Sequence, residues 1–192
     1  MKTMTIAVLL AFAALPLAAG DIHGKVACKG VRNSADAVVY VAGIAGKTFS
    51  PPAAHAQVDQ KGMQFLPHVL PVLVGTTVDF LNSDAVPHNA FSPEDCAAKF
   101  NLGTWPQGQS KSYTFVKECV ATVLCNVHPE MEGFVLALPT SYFAVTSADG
   151  SYQIKDVPDG TYTVKVWHPK LKKVEQSLTV AGATEANFQV TK

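Results

Sequence analysis

The stretch Cys125-Asn126-Val127-His128-Pro129-Glu130-Met131 is the most informative part of the sequence. It places a thiolate, an imidazole and a thioether three residues apart, so one tight loop can direct all three side chains to one point. A second histidine lies upstream, in Val86-Pro87-His88-Asn89. Two histidines and a cysteine with a weak axial methionine are the ligand set of a blue-copper electron-transfer site. The pattern therefore predicts one type 1 copper ion bound by His88, Cys125, His128 and Met131.

Two other uses of these residues remain open from the sequence. Cys125 could form a disulfide with Cys119, although two cysteines six residues apart on one extended strand lie roughly 20 Å apart. Zinc is a second candidate metal, because cysteine and histidine both bind zinc. Structural zinc rarely recruits methionine, so the presence of Met131 in the loop favours copper.

The residues around the loop predict an all-β chain. Short runs rich in Val, Tyr, Phe and Thr are separated by Gly, Pro, Asn and Asp, and no helical period of any length competes with them. The predicted strands are Gly24–Cys28, Ala37–Val41, Leu70–Val74, Thr77–Asn82, Lys99–Leu102, Ser110–Val116, Val120–Cys125, Gly133–Leu138, Tyr152–Lys155, Thr161–Trp167, Val174–Val180 and Ala186–Val190. Their spacing suits Greek-key sandwiches.

This strand pattern predicts how the ligands reach the metal. Cys125 ends a strand, His128 and Met131 lie on the loop that follows, and His88 is expected on a loop after the strand Thr77–Asn82. Pro87 and Pro129 would stiffen the two loops by fixing φ. We expect the Asn89 side chain to bond to the Cys125 loop and lock the two segments together.

The first twenty residues predict a signal peptide. Lys2 gives a positive start, Thr5–Leu15 is an apolar run too short to span a membrane, and Ala18-Ala19-Gly20 is a small-residue cleavage site. Removal of Lys2 from 15 basic and 15 acidic residues leaves 14 against 15, a net charge of −1. Such a balance argues against nucleic acid as a partner. We therefore expect a periplasmic or secreted protein with no membrane insertion after cleavage.

Export implies an oxidising compartment, in which the four cysteines can form disulfides. If Cys125 binds metal, at most one disulfide forms among the other three. We expect the pair Cys96–Cys119, because both would flank the segment that carries the ligands. The sequence alone leaves the pairing of Cys28, Cys96 and Cys119 open.

The segment around the ligands resembles the cupredoxins. The run Val74–Asn82 is similar to the family's strand before the first ligand, and Pro87-His88-Asn89 matches its first-ligand loop. The short Cys125-x₂-His128-x₂-Met131 loop is similar to that of amicyanin, whereas plastocyanin and pseudoazurin have a longer His-to-Met spacing. The resemblance implies a cupredoxin Greek-key β-sandwich over residues 64–139, with copper held by the four residues above and Asn89 beside them.

The C-terminal segment, residues 141–192, resembles the carboxypeptidase regulatory-like, transthyretin-like β-sandwich, through Asp149-Gly150-Ser151-Tyr152 and Val157-Pro158-Asp159-Gly160-Thr161-Tyr162. Residues 21–45 fit the first strands of that small sandwich, although they could instead add to the copper barrel. Residues 46–63 are expected to be a connector. The motif Val166-Trp167-His168-Pro169 also resembles the cupredoxins of the "methylamine utilisation" type.

Together these features predict a periplasmic electron carrier that moves single electrons between redox partners, such as a c-type cytochrome or a dehydrogenase. The electron is expected to leave through the exposed edge of His128. An apolar docking patch would surround it, formed by Val86, Pro87, Val127, Pro129 and Phe134. Such encounters bury little area.

Two other functions remain open: copper binding or delivery, and a structural role in the cell envelope without redox turnover. An enzyme is not expected, because protein side chains would fill all four ligand positions and leave no open site for a substrate. The sequence also contains no evident nucleophile–base pair or nucleotide loop. The redox partner, the reduction potential and the oligomeric state cannot be read from the sequence.

Overall fold

Strands account for every regular element in the structure, a computed structural model that describes residues 19–93 and 100–192. These ranges contain no helix, so the predicted all-β fold is confirmed, and no helix there could cross a membrane. The strands are β1 (Ala19–Cys28), β2 (Val38–Val41), β3 (Ala56–Gln60), β4 (Phe65–Leu66), β5 (Val69–Leu73), β6 (Thr77–Asn82), β7 (His88–Ser92), β8 (Phe100–Trp105), β9 (Ser110–Thr114), β10 (Cys119–Leu124), β11 (Glu132–Leu138), β12 (Phe143–Val145), β13 (Ser151–Pro158), β14 (Gly160–His168), β15 (Leu171–Val180), β16 (Thr184–Glu185) and β17 (Phe188–Val190).

Strands β3 to β11 form a two-sheet sandwich, called here the ligand domain. One sheet has the order β5-β11-β10-β7-β8 and the other the order β4-β3-β6-β9. Side chains alternate between the two faces of each strand, so one set from each sheet meets in the middle. Phe80, Trp105 and Phe115 lie in this core and are fully buried.

The predicted connector, residues 46–63, differs from the structure because it contains β3. This strand runs parallel to β6, with Val58 opposite Phe80. Val58 and Gln60 are buried and point to the same face. The sequence Ala56-Gln57-Val58-Asp59-Gln60 has one large apolar residue, so its alternation is too weak to read from the sequence.

The remaining strands form a second sandwich, called here the tail domain. Its sheets are β13-β1-β16, with β17 also paired to β1, and β12-β2-β14-β15. The N-terminal strands β1 and β2 therefore pair with strands from the C-terminal segment. Residues 1–18 of the predicted signal peptide lie outside the described residues, whereas Ala19 and Gly20 belong to β1 and pair with Pro158 and Val157.

Both faces of β11 are buried, and this strand joins the two domains. Val135 and Ala137 point into the ligand-domain core. The residues that alternate with them along β11, namely Phe134, Leu136 and Leu138, face the tail domain. They belong to a separate apolar cluster, called here the domain interface: Val38, Tyr40, Val69, Phe134, Leu136, Leu138 and Trp167. The Phe134 and Trp167 rings lie 5.4 Å apart, centroid to centroid. A strand buried on both faces reads as one continuous apolar run, as residues 133–138 do.

A polar contact lies beside this interface. The Nδ1 atom of His68, in the ligand domain, lies 2.7 Å from Oδ2 of Asp36 in the tail domain. This hydrogen bond lowers the pKa of Asp36 and raises that of His68. Nearby His168 is buried and accepts a hydrogen bond from the Lys170 backbone, as a structural histidine would.

Candidate metal centre

Three of the four predicted ligands converge at one end of the ligand domain. The Nδ1 atoms of His88 and His128 lie 3.0 Å apart, and Cys125 Sγ lies 4.0 Å from Nδ1 of His128. The three candidate donor atoms all lie within 4.8 Å of one another. Two imidazole nitrogens and a sulfur that converge in this way can share one metal ion.

Three chain segments bring these side chains together. Cys125 was predicted as the last residue of its strand and lies one residue beyond the end of β10, and His128 lies on the loop before β11. His88 is the first residue of β7, opposite Trp105 of β8, so its predicted place on a loop is wrong. The run His88-Asn89-Ala90-Phe91-Ser92 was hard to recognise as a strand because four of its five residues are buried, with no polar alternation.

Met131 lies in the same buried region. Its backbone N–H donates a hydrogen bond to the His128 carbonyl, at 3.0 Å, which closes the ligand loop into a turn. Met131 is 1 % exposed and belongs to the apolar core cluster that also contains Cys125. A thioether and a cysteine sulfur together with two imidazoles fit copper in either oxidation state.

Gly133, at the start of β11, makes room for β4 beside the ligand loop. A Cβ atom at this position would lie 2.8 Å from Cβ of Phe65, which is too close for any side chain without a shift of the backbone. Phe65 on β4 is fully buried against the same core. The glycine therefore lets β4 approach β11 at the end of the ligand loop.

The state of the cysteines leaves Cys125 available as a metal ligand. Cys125 is a free, buried thiol, so the alternative pairing with Cys119 does not form. Cys119 is disulfide-bonded, and Cys28 is free and buried in the tail domain. Cys96 lies outside the described residues, and its pairing with Cys119 stays a prediction.

Asn89 links the two ligand-bearing segments, in the way expected from the sequence. Its backbone N–H points at Cys125 Sγ, 3.4 Å away, and its side-chain oxygen accepts a hydrogen bond from the Asn126 backbone at 3.3 Å. Its amide nitrogen donates to the Asn101 side chain and to the Gly103 carbonyl, at 2.9 and 2.8 Å. A donor aimed at the sulfur stabilises the thiolate, and the remaining bonds fix its direction.

Asp84 is a polar residue of the site that the sequence analysis missed. Its carboxylate accepts a hydrogen bond from Nε2 of His88, at 2.9 Å. The backbone N–H groups of Met63 and Gly62 also donate to it, and these bonds, that of Met63 first, lower its pKa to about 2. Its two backbone partners lie more than twenty residues away in sequence, so only its position four residues before His88 could have drawn attention to it.

The outer surface of the site carries several exposed apolar residues, beside exposed Asn126 and Glu130. His128 is partly exposed, while its neighbours Val127 and Pro129 are exposed, as are Val86 and Pro87 beside His88. These four residues, together with exposed Met63, are called here the docking face. Phe134 is 8 % exposed and packs at the domain interface, so its predicted place in this patch is wrong.

The resemblances to the cupredoxins and to the carboxypeptidase regulatory-like sandwich are confirmed by comparison with family models, whereas the resemblance to the "methylamine utilisation" type stays a prediction. Residues 52–137 match the model of the copper binding proteins of the plastocyanin/azurin family. Residues 132–191 match the model of the carboxypeptidase regulatory-like domain. The first match includes all four predicted ligands, and the second covers β11 of the ligand domain and strands β12 to β17 of the tail domain.

Solved structures similar to part of the chain include copper proteins of several kinds. A reduced amicyanin variant is 28% identical, with 45% of this chain and 84% of that chain covered and a TM-score of 0.42. A purple cupredoxin from Nitrosopumilus maritimus is 29% identical, with 43% and 98% covered and a TM-score of 0.39. A copper-containing nitrite reductase from Thermus scotoductus is 25% identical, with 52% and 25% covered and a TM-score of 0.44. A comparison with curated proteins found no match.

Proposed function

We propose that this chain, which combines a cupredoxin domain with a carboxypeptidase regulatory-like domain, is a type 1 copper protein that carries single electrons. The observation that supports this most is the convergence of the donor atoms of His88, Cys125 and His128 within 4.8 Å, with Met131 in the same buried core cluster as Cys125. One copper ion held by these four residues would supply a one-electron couple. No position would then remain for a substrate, so we do not expect an enzyme.

The rigidity of the ligand residues supports a carrier. His88 and Cys125 are almost completely buried, and the Asn89 hydrogen bonds fix both of their segments. Ligands that keep their positions in both oxidation states reduce the reorganisation that opposes electron transfer. A burial of this kind also opposes metal release, so it favours electron transfer over copper delivery.

The docking face supports a protein partner. His128 is the ligand nearest to solvent, and the exposed side chains of Val86 and Val127 lie beside the two histidines in sequence. A small apolar patch suffices for a transient redox encounter, which buries less area than a stable complex. We propose a c-type cytochrome or a dehydrogenase as the partner, and an exported, periplasmic location in which both would meet the protein.

Substitution of one valine on the docking face tests the carrier role. Val127→Asp places a charge on the patch, and Val116→Asp is its matched control, because Val116 is an exposed valine of the same domain outside this patch. The measurement is the rate of electron exchange with a soluble c-type cytochrome and with a small inorganic oxidant. We expect Val127→Asp to slow the cytochrome reaction at least about tenfold, a cost of ~1.4 kcal/mol.

The controls separate the carrier from its alternatives. The visible spectrum should be nearly unchanged in both variants, because neither substitution replaces a ligand, and the rate with the inorganic oxidant should change much less than the rate with the cytochrome. The carrier role is contradicted if the wild-type protein exchanges no electron with either reagent. Rapid loss of Cu(I) to a chelator from that same protein would instead indicate delivery.

A further inference from the structure

The two candidate histidine ligands differ on the side that faces away from the metal. Nε2 of His88 lies 2.9 Å from Oδ2 of Asp84, in a region where the histidine is fully buried and the aspartate side chain is 17 % exposed. Within the described ranges, Nε2 of His128 has no hydrogen-bond partner in the protein. The electrostatic environment of the site is therefore asymmetric, and the asymmetry comes from one carboxylate.

The carboxylate determines which nitrogen of His88 carries the proton. Asp84 also accepts hydrogen bonds from the backbone N–H groups of Gly62 and Met63, at 2.7 Å on Oδ1 and 2.9 Å on Oδ2, so N–H donors face both of its oxygens. A carboxylate whose two oxygens already accept from backbone N–H groups also accepts from His88, so His88 donates through Nε2. Its lone pair then lies on Nδ1, the atom that faces Nδ1 of His128.

Asp84 also holds a turn of the docking face. Gly62 and Met63 both have positive φ, 61° and 55°, as the central residues of a type I′ hairpin turn do, and this turn joins β3 to β4. A methionine rarely adopts that conformation. The two consecutive backbone N–H groups of the turn both donate to Asp84. These hydrogen bonds offset the conformational cost of the positive φ at Met63 and keep its side chain exposed beside the ligand end.

We propose that Asp84 is a positioning residue for the metal centre, which orients His88, lowers the reduction potential and connects the ligand to the Met63 turn. The proposal rests on the proposed copper function. A negative charge one ring away from the metal favours Cu(II) over Cu(I), because the more highly charged ion gains more from it. The same carboxylate fixes the ring through a charge-assisted hydrogen bond, which is stronger than a neutral one.

Two asparagine variants of the whole chain test the charge. Asp84→Asn removes the charge beside His88, and Asp79→Asn removes an equal charge on β6, where Asp79 bonds to Ser112 and His55. We expect Asp84→Asn to change the ratio of Cu(II) to Cu(I) affinity about tenfold, which raises the potential by about 59 mV for one electron. Asp79→Asn should leave the potential nearly unchanged. A shift in Asp84→Asn no larger than that in Asp79→Asn overturns the proposal.

A second readout needs neither copper nor a variant. Nitrogen chemical shifts of His88 in the metal-free wild-type protein should show the tautomer protonated at Nε2. A proton on Nδ1 would overturn the positioning role, whatever the potentials are. If the wild-type protein binds no copper, the proposed function fails, while the tautomer still decides whether Asp84 positions the ring.

Discussion

The ligand end and the domain interface both adjoin β11, but their buried side chains differ in polarity. At the interface, apolar side chains such as Phe134 and Trp167 pack closely, with few polar groups. At the ligand end, buried polar groups including His88 and Asn89 are each held by specific hydrogen bonds. The loop with His128 and Met131 runs directly into β11, so the two regions meet at one strand.

This difference in polarity means that the interface contributes mainly to the free energy of unfolding, whereas the ligand end determines the metal chemistry. Apolar packing contributes free energy of unfolding that depends on area and contact, and it is insensitive to the charge of a metal. Hydrogen bonds to ligands contribute direction and charge, which set metal affinity and potential. Substitutions at the interface should therefore change the free energy of unfolding alone, and substitutions at the ligand end should change the copper properties first.

The largest expected effect is loss of the thiolate. Cys125→Ser should reduce copper affinity by more than the ~10–100-fold that removal of an outer partner of a ligand costs, because it removes a ligand itself. Cys28→Ser is the matched control, since Cys28 is also free and buried but lies in the tail domain. Competition with a chelator measures both. Equal affinities in the two variants would rule out Cys125 as a ligand.

Substitution of either tryptophan tests the comparison between the ligand end and the domain interface, because the two substitutions should lower the free energy of unfolding by similar amounts. Trp167→Ala and Trp105→Ala each remove a buried ring and should lower the free energy of unfolding by about 3–5 kcal/mol, measured by denaturant titration. Trp105 lies opposite His88 in the ladder, whereas Trp167 lies at the interface. Only Trp105→Ala should also change the visible spectrum. A spectral change of the same size in Trp167→Ala would show that the two regions are not independent.

Asn89→Ala tests the link between the ligand segments. It leaves the Asn126 N–H and the Gly103 carbonyl without their partner, which should cost about 1–3 kcal/mol in the metal-free protein. Asn187→Ala is the control, because its side-chain bonds lie on an exposed edge of the tail domain. Thermal unfolding compares the two. A cost no greater than that of the control would mean that Asn89 does not hold the segments.

The smallest effect concerns the pair of His68 and Asp36. The pKa of His68 is raised, so the pair's stabilisation is complete below pH 6.5 and is lost as the pH rises through the folded-state pKa. Because the pKa of Asp36 is lowered, the stabilisation from this pair is also lost as the pH falls below 3.8. Glu132, His168 and Lys170 also act on the pair. Both partners are 36 % exposed, so the contribution is at most ~1 kcal/mol.

Substitution of the aspartate isolates that contribution. Asp36→Asn keeps the shape of the side chain, and its free energy of unfolding should vary less between pH 6 and pH 8 than that of the wild-type protein, roughly by the amount that an exposed ion pair contributes. The measurement is denaturant unfolding at a series of pH values. Parallel profiles of the two proteins would exclude the pair as the source of the pH dependence.

The parts of the molecule that could be predicted from the sequence are those encoded by neighbouring residues. The spacing of Cys125, His128 and Met131 within one loop identified the metal site, because the ligands lie close together along the chain. Strands β3 and β7 were missed, since one is largely polar and the other is buried on both faces. Asp84 was missed because its function depends on residues 62 and 63, which only the fold brings near it.

The misplacement of Phe134 has a similar cause. Its neighbours in sequence belong to the ligand loop, and an apolar residue there fits an exposed docking patch as well as a buried contact. The side of β11 on which it lies is decided by the period of the strand, and the partner on that side comes from the tail domain. No local pattern gives the position of a second domain.

The visible spectrum of the wild-type protein loaded with one equivalent of Cu(II) tests the central claim most directly. A site of two histidines, one cysteine and one methionine should give an intense blue or green colour from charge transfer between the Cys125 thiolate and the metal. The account predicts this band, saturated at one copper per chain and bleached by one-electron reduction. A colourless copper complex, or a protein that takes up zinc in preference to copper, would contradict it.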